Sequence, residues 1–321
     1  MSDPLLAVEG LTTVFRLADG RDAAAVTDVS FAIERGETLG LVGESGSGKS
    51  MTALSIVGLV PPPGRITAGR VLLEGHNLLG LTDAEMCAVR GRRIGFVFQE
   101  PMVALNPVYT IGSQIEETLA VHALARGRAG RTRAVELLEA VRIPDPHRYA
   151  RSYPHQLSGG LRQRAMIALA IAAEPVLLIA DEPTTALDVT VQGEILDLLR
   201  DMRERLHLSL LLITHDLAVV AETADYVGVM YGGRIVEYAR TTDVLATPAH
   251  PYTRALLDSI PGRHRGRRLV AIPGTVPRLG ALPLGCGFEP RCDHRMDVCR
   301  SVPPNIAVAA GHDVRCFLHD R

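Results

Sequence analysis

Residues Gly43-Glu44-Ser45-Gly46-Ser47-Gly48-Lys49-Ser50 match the pattern G-x-x-x-x-G-K-[ST] in full, and Lys49 is the only lysine among 321 residues. Such a loop constrains the chain around it, because it works only between a buried strand and a helix. Thr38-Leu39-Gly40-Leu41-Val42 reads as the strand, and residues 50–59 read as a helix that ends before Pro61-Pro62-Pro63. Arginine supplies the remaining basic charge. At this one place a compact ammonium is kept, which can thread to β- and γ-phosphates where a planar guanidinium would not fit. Glycines let backbone N–H groups close around phosphate, the helix N-terminus adds its dipole, and the Ser50 hydroxyl can reach a magnesium ion. The motif points to nucleotide chemistry.

Bulk properties narrow the class. A hydrophobic content of 47% supports one large or two smaller cores, and a net charge of −2 argues against the basic footprint of a dedicated nucleic-acid binder. The arginine clusters at 126–133 and 263–268 have no interleaved aromatic residues, so they read as solvated surface or linker. The longest apolar stretch, 165–180, is cut by Glu174-Pro175 and falls short of the ~20 residues of a membrane span. The start Met-Ser-Asp-Pro lacks the basic and apolar pattern of a signal peptide, so the chain is expected in the cytosol and its five cysteines in a reducing compartment.

Along the chain, residues 5–42 alternate short β-like runs with turns, as in an antiparallel β region. Residues 111–145 switch to helical spacing through Ile115, Leu119, Leu124, Val135, Leu138 and Val141, which predicts a helical insert. Strand and helix alternation resumes at 176–180, 191–206 and 208–214, the grammar of a parallel α/β core. Beyond Pro248 the composition shifts to proline, glycine, arginine and cysteine, without strong periodicity and with no internal repeat.

The strand 176–180 delivers Asp181 and Glu182 at its C-terminal end, where open α/β sheets bind ligands. Asp181 can join Ser50 around magnesium while Glu182 orients and deprotonates an attacking water. Ahead of it, Leu157-Ser158-Gly159-Gly160-Leu161 opens a helix with small residues, an anion site in principle. Here the chain resembles the ABC ATPase family, whose signature begins Leu-Ser-Gly-Gly; the usual fifth residue, glutamine, is Leu161. The resemblance implies an antiparallel β subdomain, a RecA-like parallel-sheet core and an α-helical subdomain. It further implies that Ser158, Gly159 and Gly160 meet the γ-phosphate held by a partner subunit. By the same resemblance Gln99 is the Q-loop glutamine and a magnesium contact, Asp188 lies in the D-loop, and His215 is the switch histidine. Phe15 takes the place of an adenine-stacking aromatic, or is a sheet-core phenylalanine. Gly43, Ser45, Gly46, Ser47, Gly48, Lys49, Ser50 and Met51 complete the implied nucleotide site.

Glu182-Pro183-Thr184-Thr185-Ala186-Leu187-Asp188-Val189-Thr190-Val191-Gln192 and the segments His250-Pro251-Tyr252-Thr253-Arg254, Ile272-Pro273-Gly274-Thr275-Val276-Pro277 and Gly285-Cys286-Gly287-Phe288-Glu289-Pro290-Arg291-Cys292 resemble the ATP-binding subunits of oligopeptide and dipeptide importers. This implies an ATPase domain over 1–249, with its helical subdomain at about 105–165, and a C-terminal extension over 250–321. It implies ATP and Mg²⁺ as ligands and attachment to the cytoplasmic face of a membrane. A second ABC ATPase, two permeases and an extracytoplasmic binding protein would be the partners, with no nucleic acid. Nickel importers share much of the pattern. Soluble ABC ATPases acting on DNA or ribosomes typically carry two ATPase halves or a long coiled coil, whereas only about a hundred residues separate loop and signature here. Cys286-x5-Cys292-x6-Cys299-x16-Cys316 supplies four thiols suited to tetrahedral zinc or a [4Fe–4S] cluster. The lack of C-x2-C pairs weakens zinc, and members of the resembling subgroup carry a cluster at these positions, so a structural cluster is expected. Cys87 stands outside the group.

Overall fold

Fully buried strands flanked by turns organise the chain. The computed structural model describes residues 3–260 and 272–320, so the arginine cluster at 263–268 lies outside the described residues. The chain divides into two compact units, Met1–Gly80 with Leu212–Arg321, and the intervening Leu81–Leu211.

In the first unit, Leu6–Arg16 pairs antiparallel with Asp22–Ile33 on one side and with Gly64–Leu73 on the other. Alternating burial along these strands turns Leu6, Val8, Leu11 and Thr13 inward, the period expected of a half-covered sheet. Thr38–Val42, buried at every position, runs parallel to Tyr226–Tyr231. Tyr226–Tyr231 turns back antiparallel into Arg234–Arg240. The helix after the phosphate loop runs Lys49–Ile56, ending three residues earlier than its sequence pattern predicts, and Leu59 N–H reaches back to Leu54 O at 2.8 Å.

The C-terminal extension is more ordered than its sequence suggests. Ile306–Ala309 and His312–Val314 form an antiparallel pair, and His312–Val314 adds to the edge of Arg234–Arg240. Tyr252 and Phe288 enter the core against Tyr231, with ring centroids 4.8 and 5.3 Å from it in edge-on geometry. Contacts of this kind stabilise by about 1 kcal/mol beyond area burial. Pro251–Asp258 is a helix started by Pro251 and capped by His250.

The second unit holds the parallel pair Ile94–Val97 and Leu177–Asp181 together with most of the helices. Side-chain caps begin its helices where the sequence supplies them. Thr110 caps Ile111–Val121, Ser158 caps Gly159–Ile171, and Asp188 caps Val189–Leu206. The arginines near 126–133 sit at the start of Gly127–Ala140, where Arg133 pairs with Glu136 and Glu174, in keeping with a solvated face. Among the described residues no helix is long and apolar enough to cross a membrane.

Glu237 is fully buried, accepting from the N–H groups of Ala249 and His250 at 2.7 and 2.8 Å, with His312 Nε2 2.8 Å from its Oε1. Removing the imidazole strips a buried carboxylate of one of its partners. His312→Ala is therefore expected to lower unfolding free energy by about 3 kcal/mol, as read from urea melts.

Candidate functional site

The phosphate loop is built by close backbone approach. A Cβ at Gly43 would lie 2.2 Å from Met230 O. Gly48, at φ 104°, adopts a conformation that L side chains avoid, and its Cβ would meet Ala25 O at 2.7 Å. Lys49 is 4% exposed, and its ammonium donates to Gly43 O at 2.7 Å, Glu44 O at 3.1 Å and Ser47 Oγ at 3.4 Å. Ser45 and Gly46 form the exposed crest of the loop, while Ser47 is buried and its carbonyl accepts from Gly233 N–H at 2.8 Å. Ser50 and Met51 follow in the first turn of the helix, both partly exposed. In the same unit, Phe15 is half-buried near the end of its strand, packed so closely on Gly64 that a Cβ there would lie 2.7 Å from its ring. His215 is exposed immediately after the strand Ser209–Thr214, ahead of the helix that Asp216 caps.

The second unit carries the acidic and signature segments. Asp181 ends the buried strand Leu177–Asp181 and is 5% exposed. Glu182 follows at φ 45°, a left-handed conformation that costs a non-glycine residue on the order of 1 kcal/mol. Its Oε2 accepts from Thr185 Oγ1 at 2.8 Å and from Gln99 Nε2 at 3.4 Å. Gln99 and Glu182, 83 positions apart in sequence, thus share a hydrogen bond. Thr185 had no role in the sequence analysis; its spacing of three from Glu182 across a turn was the available signal, and Thr185 N–H closes that turn on Glu182 O at 3.2 Å.

Ser158 accepts from Leu161 N–H at 3.4 Å and starts the signature helix. That helix start packs on the segment after Glu182: a Cβ at Gly160 would lie 2.8 Å from Val191 Cγ1, and one at Gly159 would lie 3.4 Å from Leu187. Asp188 is exposed and accepts from Val191 N–H at 3.0 Å. Ser158, Gly159, Gly160 and Asp188 are therefore gathered in one corner of this unit.

Residues 26–185 match the ABC transporter family model, and residues 236–299 match the oligopeptide/dipeptide transporter C-terminal region. The chain is 49% identical over 98% of its length to the "Probable peptide ABC transporter ATP-binding protein y4tR" of Sinorhizobium fredii, covering 95% of that protein. It is also 49% identical, over 98% of its length and 97% of the relative, to the oligopeptide transport ATP-binding protein AppD of Bacillus subtilis. The chain belongs to the ATP-binding subunits of the peptide-importing ABC transporters. Among solved structures, the dimeric post-hydrolysis state of the ATP-binding cassette MJ0796 bound to ADP and Pi superposes with a TM-score of 0.66 at 30% identity, over 74% of this chain and 98% of that one.

The cysteine tail departs from what the resemblance to this family implied. Cys286, Cys292, Cys299 and Cys316 line one cavity of about 10 Å³ with His250, Phe288, Met296 and Phe317, roughly the room of a single water. Burial pushes the Cys286 thiol up to about 11 and raises Cys292 and Cys316 as well. Among the described residues no three His, Cys, Asp or Glu side chains form a group that could hold a metal ion. The expected [4Fe–4S] cluster, and zinc as its substitute, are corrected accordingly. The tail is instead fixed by aromatic packing, by its two edge strands and by the bond from Cys286 N–H to Cys299 O at 2.8 Å. Cys87 is exposed.

His250 shares this corner. Its Nδ1 accepts from Tyr252 N–H at 3.0 Å, and burial, reinforced by His319 and Arg254, holds its pKa down at about 3. The unfolded chain binds a proton below about pH 6.5 that the fold refuses until about pH 3, so stability falls as pH drops through that window, by up to ~1.4 kcal/mol per unit. His250→Asn keeps a capping acceptor and removes the titration. Its urea midpoint is expected to fall less steeply than that of the wild type between pH 6.5 and 4.

Proposed function

We propose that this chain is the ATP-hydrolysing subunit that powers peptide import through a membrane transporter complex. The observation that carries the reading is the Glu182 carboxylate, set at the end of a buried strand and bonded to Gln99 and Thr185, on a chain whose 236–299 region matches the oligopeptide/dipeptide transporter C-terminal region. Glu182 orients the attacking water and takes its proton, while two neutral donors fix the rotamer of the carboxylate. His215 is assigned to the γ-phosphate, and Gln99 links the nucleotide state to the helices of the second unit.

Phe15 stacks on adenine in this reading. Gly43, Ser45, Gly46, Ser47 and Gly48 offer the backbone N–H groups of the loop, with Lys49, Ser50 and Met51 behind them. The glycine cradle and the buried ammonium fit a polyphosphate. Ser50, Gln99 and Asp181 offer the oxygen ligands that suit Mg²⁺, which when bound supplies charge neutralisation at the β- and γ-phosphates. Ser158, Gly159 and Gly160, at the N-terminus of a 13-residue helix, face the nucleotide of a second ATPase, with Asp188 beside them.

We assign residues 1–249 to the ATPase domain, with its helical subdomain at about 105–165, and residues 250–321 to the extension of the peptide-importer subgroup. The complex then comprises a second ABC ATPase, two permeases and an extracytoplasmic binding protein, with this chain peripheral on the cytoplasmic face. Uptake of labelled peptides, and not of nickel, should be lost on deletion and restored by the gene; restoration of nickel uptake alone would overturn the cargo. Glu182→Gln is expected to bind ATP yet hydrolyse it about 10²–10⁴-fold more slowly, as measured by phosphate release. Lys49→Arg should lose ATP binding in a nucleotide titration, because the buried ammonium site has no room for a guanidinium.

A further inference from the structure

Glu44 stands second in the phosphate loop, and its contacts lead into the C-terminal extension of the same unit. Its Oε2 lies 3.1 Å from Arg291 Nη1, with the arginine side chain 6% exposed and the glutamate 28%. Its backbone N–H donates to Tyr252 Oη at 2.8 Å. Among the described residues nothing bonds the buried Oε1. Glu44 therefore places a poorly hydrated negative charge in a loop whose task is to attract a polyanion, and Arg291 neutralises it.

The guanidinium is pinned for this contact. Its Nε donates to Pro273 O at 2.7 Å, Nη1 to Tyr231 Oη at 3.2 Å, and Nη2 to Gly274 O at 3.4 Å. It also lies over the rings of Tyr231 and Phe288, 5.7 and 5.9 Å from their centroids. These partners come from a core strand and from two segments of the extension, so the position of Arg291 depends on the extension being folded onto the core.

We propose that Arg291 is a positioning residue for the phosphate loop: it cancels the charge of Glu44 and, with Tyr252, fixes the Glu44 peptide, so that the C-terminal extension sets the affinity of the loop for polyphosphate. The proposal rests on the ATPase reading above. In it the extension acts on the nucleotide through Glu44, without touching the reacting atoms.

The test is a charge-removal cycle on the purified full chain, titrated with ATP and with adenosine, comparing wild type, Arg291→Ala, Glu44→Gln and the double variant Arg291→Ala/Glu44→Gln. Arg291→Ala is expected to bind ATP roughly tenfold more weakly, about 1.4 kcal/mol, with adenosine unchanged. In the assembled transporter, KM for ATP should rise while kcat stays within about twofold. Adding Glu44→Gln should restore ATP affinity to within about twofold of wild type, since the repelling charge is then gone. A merely loosened tail would not be repaired by changing a carboxylate in the loop. Should Arg291→Ala melt early, Arg291→Gln removes the charge while keeping a longer polar side chain with two N–H donors, and carries the same comparison. Unchanged ATP affinity, an equal loss for adenosine, or no rescue by Glu44→Gln would each overturn the proposal while leaving the ATPase reading standing. A wild-type chain that bound no ATP would overturn both.

Discussion

The buried ammonium of Lys49 holds the phosphate loop closed on itself. It donates to two loop carbonyls and a loop hydroxyl, and it reaches them only because Gly43 and Gly48 let the backbone pass within van der Waals contact of Met230 and Ala25. That closeness requires the strand before the loop to be fully buried and the neighbouring strand Tyr226–Tyr231 to lie in register beside it. The edge of the same sheet then receives the strands of the C-terminal extension. Loop, sheet and extension are consequently one packing problem.

The acidic site solves a different problem, that of aiming a carboxylate. A strand end can deliver Asp181 in regular geometry, but Glu182 must leave the strand, and it does so in a left-handed conformation. The turn closed by Thr185 and the amide of Gln99 offset that strain and leave one rotamer for the carboxylate. Rigidity of this kind suits a group that must hold a water for in-line attack, because reorganisation then costs little at the moment of reaction.

Much of this was legible in the chain. The phosphate loop, the strands around it and the order of the motifs are local patterns, each written in fewer than ten consecutive residues. The helical character of the region after residue 111 was visible in its spacing, although caps set the boundaries of its helices. The strands within the extension were missed for an opposite reason. Its strands are three and four residues long and its core contacts come from isolated aromatics, so it has no periodicity to detect. Four cysteines suggested a metal, yet spacing reports the number of candidate ligands and is silent about the room between them.

The sequence alone put Lys49, Asp181 and Glu182 forward as the groups of the proposed ATPase chemistry, because residue type and local spacing carry that information. It also determined the class of fold, because a glycine loop between a buried strand and a helix is stable in few architectures. Only the tertiary structure decided that Gln99 and Thr185 hold Glu182, that Tyr252 and Arg291 meet Glu44, and that the cysteines, though they line one cavity, form no metal-holding group among the described residues. Each of these pairs groups set apart by turns or by long stretches of chain, and such proximity is fixed by how the core packs.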